Sequence, residues 1–128
     1  MTNILVVEDE ANVRKLVTVN LSSRGYTVYE AKDVQQAVER LQTQPFDLIV
    51  LDIKLPDLTG WDLLAKIATD AALEFSGPVL VMTASVMDAQ IDLDQYPAVV
   101  GVLVKPFSAA KLVAAIERAL HMTLSHRT

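Results

Sequence analysis

The chain has 128 residues, with 11 Lys+Arg against 16 Asp+Glu, a formal net charge of −5, and no cysteine. Hydrophobic residues make up 52% and charged residues 21%, so a single globular domain is expected, and disorder, a disulfide scaffold, a thiolate metal centre and a cysteine nucleophile are excluded. The acidic balance argues against direct nucleic-acid binding. No apolar run approaches the roughly 20 residues of a membrane span, and the N-terminus MTNILVVEDE lacks the basic flank of a signal peptide, so the expectation is a soluble, cytoplasmic domain without membrane insertion.

Along the chain, apolar runs alternate with helical periodicity. Ile4-Leu5-Val6-Val7 is a short continuous apolar run, the signature of a strand buried on both faces. Val13, Leu16, Val17 and Leu21 then recur with helical spacing, and Gly25 is suited to a left-handed stop. Tyr26 to Glu30 reads as a second strand. Asp33 can cap a helix carrying Ala37, Val38 and Leu41, which ends before Pro45. Asp47 to Leu51 is another buried run and closes on Asp52. Thr59 can cap a helix with Leu63, Leu64 and Ile67. Pro78 to Met82 ends at Thr83, and Val99 to Val104 ends at Lys105-Pro106. Between them, from Ala84 to Val99, the weakest element is expected: a short or frayed fourth helix with Asp88, Asp92 and Asp94. Ser108 can cap a final helix with Leu112, Ala115, Ile116 and Ala119.

Five β-α units with fully apolar strands argue for an α/β, flavodoxin-like fold. Its expected form is a five-stranded parallel sheet of order 2-1-3-4-5 with helices on both faces. In such sheets ligands bind beyond the carboxyl ends of the strands. The residues there are Glu8-Asp9-Glu10, Asp52, Thr83 and Lys105. Neighbouring carboxylates Asp9 and Asp52 repel, and a hard divalent cation such as Mg²⁺ relieves the repulsion while leaving positions for phosphate oxygens. A hydroxyl and an ammonium complete a set suited to phosphoryl transfer, with a carboxylate as the nucleophile.

ILVVEDE at 4–10, DLIVLDIKLPDLTG at 47–60, VLVMTA at 79–84 and GVLVKPF at 101–107 together resemble the receiver domain of two-component response regulators. The resemblance covers about residues 3 to 121. It implies that Asp52 accepts the phosphoryl group. It also implies that Asp9 binds Mg²⁺ directly, Glu8 through water, and Lys54 through its backbone carbonyl. Thr83 takes the place of the switch hydroxyl and Lys105 that of the phosphoryl-pairing lysine, followed by a cis peptide to Pro106. Pro56 and Gly60 match the loop after the acceptor. The implied partners are a histidine kinase or histidine phosphotransfer protein and a downstream protein effector, with a monomer or a phosphorylation-dependent dimer as the oligomeric state.

Two positions depart from the family pattern. Val102 stands where an aromatic usually couples to the threonine. The expected fourth helix is acidic and lacks arginine, which does not support dimerisation through paired charges on that face. Residues 122–128 read as a short tail, too short for an output domain, and the receiver as residues 1–121. The expectation is a receiver acting alone through protein contact, or one joined to an effector outside this chain. Trp61, Met82 and Met87 read as packing residues, with the Met87 stretch a possible partner surface; Lys54 and Asp57 read as tuning partner access. His121 and His126 read as solvated. Three alternatives to the switch exist. An aspartate-nucleophile phosphatase of the haloacid dehalogenase type needs a second aspartate where Lys54 stands. A flavodoxin-like carrier needs a phosphate loop that is not acidic. A receiver fold working as an interaction module without phosphorylation is kept open by Val102. The domain is thus expected not to be an enzyme beyond its own phosphorylation and dephosphorylation.

Overall fold

A computed structural model describes residues 2–85 and 95–127, with side chains described as far as His121. The elements run β1 (Asn3–Val7), α1 (Ala11–Ser22), β2 (Thr27–Ala31), α2 (Val34–Thr43), β3 (Leu48–Asp52), α3 (Gly60–Thr69), a 3₁₀ turn (Ala71–Leu73), β4 (Val79–Thr83), β5 (Val99–Val104) and α4 (Ala109–Arg127). The five strands form one sheet in the order β2-β1-β3-β4-β5, with every pair parallel. The expected topology is therefore present.

The alternation of side chains along a strand divides the core in two. Leu5, Val7, Ile49, Leu51, Val79 and Val81 point to the side covered by α2 and α3, where they meet Ala37, Leu41 and Leu63. Ile4, Val6, Leu48, Val50, Leu80 and Met82 point to the other side and meet Val17, Leu21, Leu112 and Ile116 of α1 and α4. Covering both faces is why, after Asn3 opens β1, the central strands carry no polar residue until they end. Fully burying each such aliphatic side chain contributes roughly 1.5–3 kcal/mol relative to leaving it exposed.

Local signals set the element ends. Asp33 accepts the Gln36 amide at 2.8 Å at the start of α2, Thr59 and Asp62 form a reciprocal capping box at the start of α3, and the Ser108 hydroxyl accepts the Lys111 amide at 3.1 Å. Gly25 has φ +92° with open space around it, so glycine serves there for its backbone freedom.

Three features differ from, or escape, the sequence reading. The helix α4 runs through Arg127, so residues 122–127 continue it instead of forming a tail; no glycine or proline follows Ala109 to stop it. Between β4 and β5 the register shifts, Val79 pairing with Val99 and Leu80 with Gly101, which leaves Val100 as an extra residue. The expected fourth helix, with Met87, Asp88, Asp92 and Asp94, falls largely on residues 86–94, outside the described residues.

Candidate functional site at the carboxyl ends of the strands

The central strands β1, β3 and β4 end in charged or polar residues at one edge of the sheet. Glu8, Asp52 and Thr83 are the buried polar side chains there. Ligand oxygens of Glu8, Asp9 and Asp52 all lie within 4.8 Å of one another, with Asp9 exposed and the other two buried. Lys105, just beyond β5, reaches across the ends of β4 and β3. Its Nζ donates to Asp52 Oδ2 at 2.9 Å and to Glu8 Oε1. The Lys105–Pro106 peptide is cis, and the Lys105 amide donates to the Thr83 carbonyl at 2.8 Å.

The balance of charge is unfavourable as it stands. One ammonium faces three carboxylates, two of them out of water. Burial, reinforced by the neighbouring Asp52 carboxylate, pushes Glu8 up to about 8 against the opposing pull of Lys105. Burial works against the Lys105 ammonium as well, yet Glu8 and Asp52 outweigh it and raise Lys105 above the ordinary lysine range. Glu8 Oε2 is buried without a hydrogen-bond partner among the described residues. An orphaned carboxylate oxygen beside two more carboxylates fits a hard divalent cation, because such an ion takes oxygen ligands and removes the repulsion at once.

The loop from β3 to α3 shapes the rest of the site. The Lys54 amide donates to Asp52 Oδ1 at 3.2 Å, Lys54 bridges Thr59, and the Gly60 amide donates to the Ile53 carbonyl at 2.7 Å. A Cβ on Gly60 would stand 2.6 Å from the Asp52 carbonyl oxygen, so only glycine permits this approach. On the other side, Arg14 Nη1 donates to the Glu8 carbonyl at 2.9 Å, while its Nε pairs with Glu30 at 3.0 Å. Arg14 thereby holds the turn that carries Glu8 and Asp9.

Of the residues singled out by sequence, Glu8, Asp9, Asp52 and Lys105 come together. Thr83 ends β4 beside them, but its hydroxyl donates to the Ser85 carbonyl at 3.0 Å and accepts the Ser85 amide at 3.1 Å. Val102 pairs with Val81 in the sheet and packs against the core on the α2–α3 side. Trp61 is indeed a packing residue, stacked on Tyr96 at 4.9 Å between ring centroids. Exposed His121 stands on α4. Arg14 was missed, since a helical arginine gives no sequence sign of reaching a loop carbonyl. The bonds of Asp57 to the Val34 and Gln35 amides leave no sequence sign either, because those partners lie more than twenty residues away.

The chain is similar to known proteins of one family. A family model described as the response regulator receiver domain matches residues 4–117. The chain is 34% identical over 118 residues to the transcriptional regulatory protein PdtaR of Mycobacterium tuberculosis, covering 91% of this chain and 56% of that protein. It is 32% identical over 126 residues to the phosphate regulon transcriptional regulatory protein PhoB of Pseudomonas aeruginosa, covering 94% of this chain and 52% of that one. The chain thus spans about half the length of the curated relatives it matches. Among solved structures, the chemotaxis response regulator CheY4 of Vibrio cholerae superposes with a TM-score of 0.84 at 28% identity, over 94% of this chain and 99% of that one.

Proposed function

The chain belongs to the response regulator receiver domain family, and from that premise we propose that it is a switch in two-component or phosphorelay signalling that accepts a phosphoryl group on Asp52. The observation that carries this reading is the Asp52 carboxylate itself. It is buried at the end of a central strand, held by Lys105 at 2.9 Å on one oxygen and by the Lys54 amide at 3.2 Å on the other.

In this reading a histidine kinase or phosphotransfer protein presents phosphohistidine. An Asp52 oxygen attacks phosphorus in line; the new O–P bond forms as the P–N bond breaks, and the nitrogen leaves with its electron pair. Two fixed donors orient the attacking carboxylate, which lowers the entropy lost on reaching the transition state. Lys105 meets the charge that gathers on the phosphoryl oxygens. Asp9, Asp52 and the Lys54 carbonyl, with Glu8 through water, would hold Mg²⁺, which supplies charge neutralisation for the phosphoryl oxygens when bound. The phosphoryl group adds about −1.5 to −2 charges, which turns the Thr83 hydroxyl from Ser85 toward the new oxygens and alters the surface beyond β4 that an effector protein reads. The domain is a signalling switch of the cytoplasm and catalyses nothing beyond its own phosphorylation and dephosphorylation. Membership of the family and the acidic trio support this reading over an aspartate-nucleophile phosphatase, whose acid/base position is Lys54 here.

The test is incubation with acetyl phosphate and Mg²⁺ followed by intact-mass spectrometry. Wild type gains one phosphoryl group and Asp52→Asn gains none. A wild type that stays unmodified would refute the reading and favour an interaction module that works without phosphorylation.

A further inference from the structure

Asp57 lies on the loop between β3 and α3, five residues after the acceptor, and its side chain leaves that loop for another element. Oδ1 accepts the Val34 amide at 3.0 Å and Oδ2 accepts the Gln35 amide at 3.1 Å. Oδ1 also accepts the Leu58 amide at 2.8 Å. Val34 and Gln35 open α2, and the next two amides of that helix go to the side chain and carbonyl of Asp33. Ala37 thereby makes the first i→i−4 bond of the helix itself, and of the amides that a helix leaves unpaired at its start, Gln36 is served by the local cap while Val34 and Gln35 are served by one brought in from the active-site loop. The amides outweigh the small cost of burial and hold the Asp57 carboxyl below the usual carboxylate range, as expected of an acceptor serving several donors.

The other bonds of the loop described above, Lys54 with Thr59 and Gly60 with Ile53, close its base. Asp57 ties its apex to α2. We infer that Asp57 is a positioning residue: by anchoring the loop to α2 it fixes the backbone at Lys54, and so sets Mg²⁺ affinity and the rate at which Asp52 accepts a phosphoryl group. This rests on the functional reading above. The chemistry is that of any supporting contact, whose loss leaves a site intact in composition but loose in geometry.

The experiment compares Asp57→Ala, Asp57→Asn and Asp33→Ala in the full chain. Asp33→Ala removes the local cap of the same helix without touching the loop, and so reports what weakening α2 does by itself. Three readouts are taken: Mg²⁺ affinity by calorimetry, the rate of labelling by acetyl phosphate, and amide hydrogen exchange without Mg²⁺. Asp57→Ala is expected to lose exchange protection at Val34, Gln35 and Leu58, and to bind Mg²⁺ about tenfold more weakly. Asp57→Asn keeps an acceptor oxygen without the charge and recovers most of the affinity. Asp33→Ala lowers the melting temperature comparably and leaves Mg²⁺ affinity within twofold of wild type. An Asp57→Ala protein that melts lower but binds Mg²⁺ like wild type overturns the proposal, since Asp57 then only caps a helix. An Asp57→Asn protein as weak as Asp57→Ala overturns it too, because charge and not anchoring is then at work. A wild type that neither binds Mg²⁺ nor becomes labelled overturns the functional reading and this proposal with it; variants that fail beside a competent wild type leave that reading standing.

Discussion

Asp52 and Thr83 end neighbouring strands of the same sheet and are both buried, yet their partners differ. Asp52 is bonded to Lys105 and to the Lys54 amide, in contact with the rest of the acidic site. Thr83 is bonded at donor and acceptor to Ser85, two residues along its own chain. The first residue stands in a preassembled site, while the second is committed to its local turn. A switch needs that difference. Chemistry is fast when its groups are already placed, whereas a response requires a group with a second arrangement to adopt.

The largest effect is expected at Lys105. In Lys105→Ala, Glu8 and Asp52 stay buried without their cation, and removing one partner of a buried pair costs on the order of 3 kcal/mol. Urea unfolding in chelator at pH 8 should show that loss, and Mg²⁺ should restore much of it. Labelling by acetyl phosphate should fall about 100-fold or more, as for loss of a donor to a developing charge. An unchanged unfolding midpoint would mean that the assembled half of the site is not held by this lysine.

A second test uses the proton on Glu8. Its carboxyl titrates near 8 in the fold against an ordinary 4.5, so the metal-free fold holds a proton there that the unfolded chain releases. The associated stability is complete below about 4.5 and is lost as pH rises through about 8. A divalent cation demands the carboxylate, so Mg²⁺ binding near pH 7 should expel protons and tighten as pH rises from 7 to 8. Calorimetry in two buffers of different ionisation enthalpy measures the release; none at pH 7 would contradict the buried, protonated Glu8.

The smallest effect is expected at Thr83. Thr83→Ala loses the hydroxyl bonds to Ser85, worth about 1 kcal/mol, and should be labelled at Asp52 within about threefold of wild type. Wild type is expected to change its Trp61 fluorescence on phosphorylation, and Thr83→Ala to lose that change. A tenfold slower labelling would place Thr83 in the assembled half after all.

Much of this was legible in the sequence because strands buried on both faces admit no polar residue until they end. The chemistry is then whatever terminates each apolar run: Glu8 and Asp9, Asp52, Thr83, Lys105. Helix starts were legible for the same local reason, through the hydroxyl or carboxylate of Asp33, Thr59 and Ser108. What escaped was set by tertiary placement. The contact between Lys105 and Glu8 spans 97 residues, and the Asp57 bonds to α2 span 22 and 23; neither leaves a periodic trace. The extra residue Val100 in the β4–β5 register follows from how the edge strand meets its neighbour, and Val99 to Val104 reads as one uninterrupted run. The extent of α4 was misjudged because a polar segment without a breaker permits a helix without announcing one.

Asp52, among three clustered carboxylates, is the one expected to take the phosphoryl group. Borohydride reduces an aspartyl phosphate to homoserine and leaves a free carboxylate untouched, so peptide mass spectrometry after labelling and reduction reads the acceptor directly. Homoserine is expected at position 52, with Glu8 and Asp9 unmodified. Conversion at position 9, or at none of the three, would contradict it.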